Sequence, residues 1–186
     1  MTALENHHQL FETAIGVCGI AWSSHGLAAV QLPEKDRAST EQRLVAKSGS
    51  VGPADPPPVM AALIADIRRY LAGEPVDFSS VAVDLAGVDD FRRRLYELMR
   101  SIAFGDTTTY GELARGIGLI EPEAARDVGV AMGRNPMPLV IPCHRVLAAG
   151  KKLGGFSAYG GTATKQKLLA LEGVHLDGGA PRLPGL

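Results

Sequence analysis

The stretch NPMPLVIPCHRV, residues 135–146, places a cysteine in a stiff and polar part of the chain. Its three prolines exclude a helix interior and a central strand, so the segment is predicted to be a loop. His144 and Arg145 directly follow Cys143, and cationic neighbours favour the thiolate, the nucleophilic form of cysteine. We therefore predict that the loop presents Cys143 for chemistry, and that His144 and Arg145 lower the pKa of its thiol.

The other cysteine, Cys18, lies in a predicted strand, where a lone cysteine is usually a small buried hydrophobic residue. Two cysteines in 186 residues make neither a disulfide framework nor a cysteine-rich zinc site, which fits a reducing compartment. A thiol hydrolase built on Cys143 and His144 remains an alternative. Adjacent side chains rarely face each other, however, and no protease motif surrounds this pair.

Outward from the loop, the chain after about residue 87 is predicted to be mostly helical. The evidence is a stripe of apolar residues at helical spacing, a threonine suited to an N-cap and a proline suited to a first helical turn. The predicted helices cover 91–102, a segment that starts near Tyr110 with Thr109 as its N-cap, 121–133 from Glu121-Pro122 to Gly133, and 163–172.

The first 86 residues mix strands and helices. Two apolar runs, 13–22 and 26–32, flank a polar turn and predict a β-hairpin. Apolar residues from Met60 to Leu71 fall on one helical face, and Gly73 ends that helix. A helix at 38–47, a loop at 52–58 and a strand at 81–85 complete this half.

These elements predict two domains and a tail. Residues 1–86 are expected to form an α/β domain with a small antiparallel sheet and helices, and residues 87–174 a mostly α-helical domain. Residues 175–186, rich in glycine and proline, are expected to be a loose tail. The composition, 46% hydrophobic and 21% charged, is that of a folded protein.

The formal net charge of −1 conceals an uneven distribution. Residues 1–90 hold 6 basic and 12 acidic side chains, whereas residues 91–186 hold 13 basic and 8 acidic ones. A basic half is suited to meeting phosphates, although a solvated charged face has the same composition. Charge alone therefore favours the solvated face.

A membrane span is not expected. Residues 13–33 contain no Asp, Glu, Lys or Arg, but Ser23, Ser24 and His25 interrupt the apolar run. The N-terminus has an acidic residue and lacks the apolar core of a signal peptide. We expect a cytoplasmic protein without a membrane partner.

Further motifs accompany the cysteine segment in a fixed order. They are FGD at 104–106 with Tyr110, AARDVG at 124–129, GGFS at 154–157 and LLALEG at 168–173. Together with NPMPLVIPCHRV they resemble the O6-alkylguanine-DNA alkyltransferases, from about residue 90 to residue 173. The resemblance implies an RNase H-like N-terminal domain and a C-terminal domain with a helix-turn-helix.

It also implies a suicide reaction. The cysteine of this family takes an alkyl group from O6 of guanine, with O4 of thymine as a further candidate, and keeps it as a thioether without any cofactor. A water-bridged His and Glu activate the thiol, and the matching residues are His144 and Glu172. Asn135 matches an asparagine that ties a helix end to the active-site loop. Tyr110 matches a tyrosine that crowds the target phosphate and donates a proton to the departing guanine.

The implied partner is double-stranded DNA that contains O6-alkylguanine, bound by a monomer. The family flips the target base out of the duplex and reads the minor groove. Arg126 matches the arginine that fills the space left by the base, and Thr109, Arg115 and Arg134 are candidate phosphate contacts. The implied base pocket comprises Val146, Phe156, Ser157 and Lys165, although Lys165 is equally consistent with a helix-surface lysine.

Two further comparisons with the family concern metal binding and the choice between a transferase and a binding module. Zinc ligands of animal members align near Ser23 and Ala28, so no metal is predicted. Alkyltransferase-like proteins bind the lesion without chemistry and lack the reactive cysteine. Cys143 is present, which favours the transferase over such a binding module.

Overall fold

The computed structural model describes residues 5–121 and 123–176. Its first part is a four-stranded sheet in the order β3-β2-β1-β4, formed by His7–Thr13 (β1), Gly16–Ser23 (β2), Gly26–Gln31 (β3) and Gly52–Pro53 (β4). The predicted hairpin is confirmed as β2 and β3. The sheet is mixed and not purely antiparallel, because the short strand β4 pairs in parallel with β1. Most of the predicted tail, 177–186, lies outside the described residues, as does Pro122.

Strand β1 was not predicted, because its sequence HHQLFET lacks a clear apolar alternation. His8 is 2% exposed and would argue against a buried strand. The structure satisfies its ring instead: Nδ1 lies 2.8 Å from the Ser50 hydroxyl and Nε2 lies 3.1 Å from a Glu41 carboxylate oxygen. A buried polar residue with partners on both sides is compatible with a central strand.

Two helices pack on this sheet and its surroundings, Arg37–Ser48 (α1) and Pro58–Leu71 (α2). Both were predicted. Asp36 caps α1 by accepting from the backbone of Ser39, and Pro58 occupies the first turn of α2, where its missing N–H costs nothing. The apolar face of α2 is buried as its spacing predicts.

The predicted strand at 81–85 is wrong. It forms a single bridge between Leu27 and Val83. The Val81 carbonyl accepts instead from the Arg100 guanidinium at 2.6 Å, so a side chain takes one of the acceptors that a neighbouring strand would use.

The second part is mostly helical, as predicted. Its helices are Asp90–Arg100 (α3), Tyr110–Gly116 (α4), Ala124–Gly133 (α5) and Thr162–Leu171 (α6). Two parallel two-residue strands, Thr108–Thr109 (β5) and Val146–Leu147 (β6), were not predicted. Thr109 caps α4 in a capping box with Glu112. Helix α5 begins at Ala124, later than the predicted start at Glu121-Pro122.

The two parts share one apolar core. It runs from the sheet and α2 through Leu95, Tyr96 and Met99 of α3 to the loop that carries Cys143. In the described ranges, no helix is long and apolar enough to cross a membrane. The continuity of the core brings side chains of α2 next to the cysteine loop.

Candidate active site

The segment 135–146 is a loop, as predicted, and is held from both sides. Asn135 donates from Nδ2 to the Ile141 carbonyl at 2.8 Å and accepts at Oδ1 from the Met137 N–H at 2.9 Å. From the sheet, the Val30 N–H donates to the Pro136 carbonyl at 2.9 Å. Leu139 has φ 75°, a value that non-glycine residues adopt only under constraint. The loop is therefore rigid.

This loop places Cys143 at the wall of a cavity of about 300 Å³, at the start of a single turn of 3₁₀-helix, Cys143–Arg145. Tyr110, Gly129, Met132, Gly155, Phe156 and Ser157 are among the other lining residues. A smaller cleft of about 80 Å³ also reaches Cys143 and is lined on its far side by the N-terminal part, including Arg43 and Lys47. Cys143 is 5% exposed, and it reaches both cavities.

The prediction that His144 and Arg145 lower the pKa of the Cys143 thiol is wrong. Burial raises this pKa, and the opposing hydrogen bond with Asn135 is too weak to reverse the shift. Both neighbours bind Glu172: His144 Nε2 lies 2.8 Å and Arg145 Nη2 lies 2.9 Å from Oε1. The thiol is therefore protonated at neutral pH and needs a base to become a nucleophile.

Glu172, just after α6, is the centre of a buried network. Arg145 donates from Nε to both carboxylate oxygens, at 3.0 and 3.1 Å, and the Gly105 N–H donates to Oε2 at 3.1 Å. Tyr70, from α2, donates its hydroxyl proton to Oε1 at 2.5 Å. Burial alone would raise the pKa of Glu172, but the hydrogen bonds from His144 and Arg145 outweigh it and bring the pKa to about 2. Glu172 is a carboxylate at neutral pH.

His144 is completely buried and is poised as a neutral base. Burial lowers its pKa, against the hydrogen bond to Glu172, which raises it. Since a carboxylate only accepts, Nε2 carries the proton that faces Glu172. Nδ1 is buried and, among the described residues, has no hydrogen-bond partner. Its lone pair is therefore available to take a proton.

Sequence reasoning missed Tyr70 and the part played by Arg145. Tyr70 lies three residues after Ile67 and reads as one more member of the buried stripe of α2. A signal was present, since a fully buried tyrosine hydroxyl needs a hydrogen-bond partner. Arg145 was assigned to the thiol because it is close in sequence, whereas its guanidinium fits the planar carboxylate of Glu172.

Lys165, on α6, is fully buried, which excludes the helix-surface position. Its Nζ donates to the carbonyls of Val146, at 2.5 Å, and Gly155, at 3.3 Å. Burial lowers the pKa of Lys165 to about 8, and the nearby Cys143 opposes this shift. Lys165 thus joins α6 to β6 and to the glycine-rich loop.

Of the predicted base contacts, Phe156 and Ser157 line the cavity with Tyr110. Val146 is fully buried and is not among the residues that line the cavity, and its carbonyl already accepts from Lys165. A base in this cavity would therefore meet the glycine-rich loop before it met Val146.

The predicted DNA contacts are distributed over α4 and α5. Arg115 and Arg126 are exposed on these helices, and Arg134 is exposed at the C-terminal end of α5. The Thr109 hydroxyl donates to Glu112 Oε2 at 2.9 Å and accepts from the Glu112 N–H at 3.2 Å. Its first role is therefore to cap α4. At Gly129, α5 lies against Tyr110: a Cβ there would be 3.7 Å from the tyrosine ring, an ordinary contact distance.

Within the described residues, no three His, Cys, Asp or Glu side chains are grouped as metal ligands would be. The described side chains offer chemistry of a different type. A buried thiol, a neutral imidazole with a free lone pair and an ionised carboxylate are suited to nucleophilic attack by sulfur after proton transfer.

Comparison with known proteins agrees with this geometry. Residues 6–85 match the ribonuclease-like domain of 6-O-methylguanine DNA methyltransferase, and residues 90–174 match its DNA-binding domain. Methylated-DNA–protein-cysteine methyltransferase of Mycolicibacterium paratuberculosis is 38% identical over 152 residues, which are 80% of this chain and 88% of that protein. The enzyme of the same name from Methanothermobacter thermautotrophicus is 34% identical over 86% of this chain and 81% of its own length.

Among solved structures, Mycobacterium tuberculosis OGT in complex with DNA superimposes with a TM-score of 0.70 and 34% identity, over 89% of this chain and 92% of that chain. Sequence and fold thus agree over both halves of the molecule. The chain belongs to the methylated-DNA–protein-cysteine methyltransferase family.

Proposed function

We propose that this protein repairs duplex DNA by transferring the alkyl group from O6 of guanine to Sγ of Cys143, once per molecule. The observation that carries the proposal is the position of Cys143, at the wall of a cavity of about 300 Å³ and next in sequence to the buried His144–Glu172 pair. The cavity is large enough for a nucleobase and is lined mainly by apolar groups, as ligand sites usually are.

The reaction balances without a cofactor. His144 Nδ1 accepts the thiol proton, directly or through a water molecule, and Glu172 stabilises the resulting imidazolium. Sulfur forms a bond to the alkyl carbon while the carbon–O6 bond breaks, and the electron pair of the broken bond moves to O6 of the guanine. The guanine takes a proton from the Tyr110 hydroxyl, which is replaced from solvent, and His144 returns its proton to solvent. The net change is thiol to thioether and alkylguanine to guanine.

Lys165 supports the nucleophile electrostatically. Its ammonium group lies 6.0 Å from the centre of the Tyr110 ring, beside the same cavity. A positive charge near a buried sulfur favours the thiolate. Because the same ammonium binds the Gly155 carbonyl, it also positions the loop that would close over the base.

The target base must leave the duplex before it can enter the cavity, so the proposed reaction begins with base flipping. Helices α4 and α5 would act as a helix-turn-helix with α5 in the minor groove. The exposed position of Arg126 on α5 supports its role as the side chain that fills the gap. Arg115 and Arg134 would contact phosphates, which accounts for the basic character of the C-terminal half.

We further propose that the protein acts as a monomer in the cytoplasm. Every group in the proposed mechanism comes from one chain, so no second copy is needed to complete the site. A reducing compartment would keep the reactive thiol from oxidation.

The test is to incubate the protein with duplex DNA that contains a single O6-methylguanine, and then to determine the mass of the peptide that contains Cys143. The expected result is the gain of one methyl group per molecule, lost in Cys143→Ala. Cys18→Ala is the matched control, because Cys18 is fully buried in the sheet and should leave transfer intact. Lesion binding without a mass gain would indicate a binding module, and repeated turnover on a thioester or peptide would indicate a hydrolase.

A further inference from the structure

Tyr70 is contributed by the N-terminal part, whose role in the reaction neither the motifs nor the proposed mechanism explain. It lies in the last turn of α2 and is 1% exposed. Its hydroxyl oxygen is 2.5 Å from Glu172 Oε1 and 3.0 Å from His144 Nε2. One atom of the N-terminal part therefore touches both members of the pair that would activate Cys143.

The position of the Tyr70 proton follows from its partners. Burial raises the pKa of Tyr70 and Glu172 adds to the rise, whereas Glu172 itself remains ionised. The phenol consequently keeps its proton and donates it to Oε1. Its oxygen then faces His144 Nε2 with lone pairs, next to the carboxylate oxygen that Nε2 also contacts at 2.8 Å.

Two acceptors at Nε2 select one form of the imidazole. With the proton on Nε2, the ring donates to Glu172 and to the Tyr70 oxygen together. With the proton on Nδ1, the bare Nε2 would oppose a carboxylate oxygen, and Tyr70 would have to withdraw its proton from Glu172 to satisfy it. The Nε2–H form leaves Nδ1 free as the base.

The position of the Tyr70 hydroxyl is fixed because the tyrosine ring is packed against two aromatic neighbours. Phe78 and Phe104 pack edge-on against it, with ring centroids 5.6 and 6.1 Å away. The other charged groups around His144 are Arg145, which follows it in the chain, and Lys165 from α6. Both are cations and cannot accept from Nε2, so neither replaces the oxygen of Tyr70.

We infer that Tyr70 is a positioning residue for alkyl transfer, which holds Glu172 and fixes His144 in the Nε2–H form. The inference rests on the proposed function for its effect on rate, although the effect on His144 does not depend on it. The N-terminal part thus contributes directly to the active site.

The chain offers a matched pair of variants. Tyr70→Phe removes the hydroxyl and keeps the ring. Tyr96→Phe does the same at a second fully buried tyrosine, whose hydroxyl donates to the Ala131 carbonyl at 2.9 Å and does not touch His144. Tyr96→Phe loses a hydrogen bond to a neutral carbonyl, whereas Tyr70→Phe loses the bonds with Glu172 and His144, so Tyr70→Phe is expected to lose more stability.

The experiment has two readouts. Transfer from the free base O6-benzylguanine, which avoids DNA binding, is expected to slow about tenfold in Tyr70→Phe and to stay unchanged in Tyr96→Phe. Nitrogen-15 NMR of the histidine rings is expected to show the Nε2–H form of His144 in the wild type and in Tyr96→Phe. In Tyr70→Phe, a fraction of the Nδ1–H form is expected, because Glu172 loses the hydroxyl that holds its Oε1 against the ring and His144 loses its second acceptor.

Equal rates for Tyr70→Phe and wild type, or equal slowing in the two variants, would overturn the inference. The NMR readout needs no alkyl transfer, so it separates failure of this inference from failure of the proposed function. Even if Tyr70→Phe does not fold, an Nδ1–H form of His144 in the wild-type spectrum would overturn the inference.

Discussion

Arg145 binds both carboxylate oxygens of Glu172, so the arginine next to the reactive cysteine and histidine holds the far end of the network instead of the thiol. The third nitrogen of the same guanidinium, Nη1, donates to the Ile102 carbonyl at 2.5 Å. One guanidinium thereby joins the cysteine turn, the end of α6 and the segment after α3. This arrangement determines which substitutions the site tolerates.

Arg145→Lys is expected to destabilise the protein by about 2 kcal/mol, because lysine keeps the charge but loses the planar fork and leaves buried acceptors without donors. For a chain of this length, that loss lowers the melting temperature by roughly 4–8 °C. Arg69→Lys is the control, since Arg69 pairs with Asp66 and Glu74 at the surface, where such pairs contribute little. An equal fall of the melting temperature in both variants would contradict the role assigned to Arg145.

The charge of Glu172 should make the stability of the protein depend on acid. Its pKa is about 2 in the folded protein against an ordinary value of 4.5, a difference of about 3 kcal/mol. Because the folded pKa is the lower one, this contribution is fully present above pH 4.5 and is lost as the pH falls toward 2.

The measurement is the free energy of unfolding in urea between pH 2 and 7, for the wild type and for Glu172→Gln. The wild type should be the more stable at pH 7, and the difference should shrink below pH 4.5. A difference that stays constant across this range would show that the carboxylate charge has no such role.

Lys165→Met is expected to slow transfer from free O6-benzylguanine by about tenfold, since the carbonyls of Val146 and Gly155 lose their donor and the positive charge beside Cys143 disappears. Lys167→Met is the control, because Lys167 is exposed on the same helix. The second-order rate constant for thioether formation measures both effects. An unchanged rate in Lys165→Met would remove Lys165 from the site.

The sequence predicted most helices and the central loop because each has a local cause: the apolar stripe of α2, the Thr109 cap of α4 and the prolines before Cys143. It did not predict β1, since the burial of His8 depends on Glu41 and Ser50, which lie far away in the chain. The false strand at 81–85 has a similar origin, because Arg100, from another element, binds the carbonyl of Val81.

The residues of the candidate site also divide into those that local motifs indicate and those that only long-range packing brings in. Cys143, His144, Glu172 and Asn135 were proposed from contiguous motifs, and the structure brings His144 to Glu172 and closes Asn135 on the cysteine loop. Tyr70 lies 102 residues from Glu172 in the chain, within a pattern that indicates only a buried helix face. Contacts of this kind depend on the packing of two parts of the molecule, and no local pattern encodes them.

Arg126→Ala is expected to weaken the repair of duplex DNA by at least tenfold and to leave the reaction with free O6-benzylguanine unchanged. The reason is that Arg126 is exposed on α5, whereas Cys143 and His144 are buried. Without a side chain to fill the gap, the unstacking of the base, which costs a few kcal/mol, is no longer offset. Arg94→Ala, at an exposed position on α3, controls for the loss of one positive charge. Rates for both substrates separate the two steps, and equal losses on duplex and free base would exclude a role for Arg126 in base extrusion.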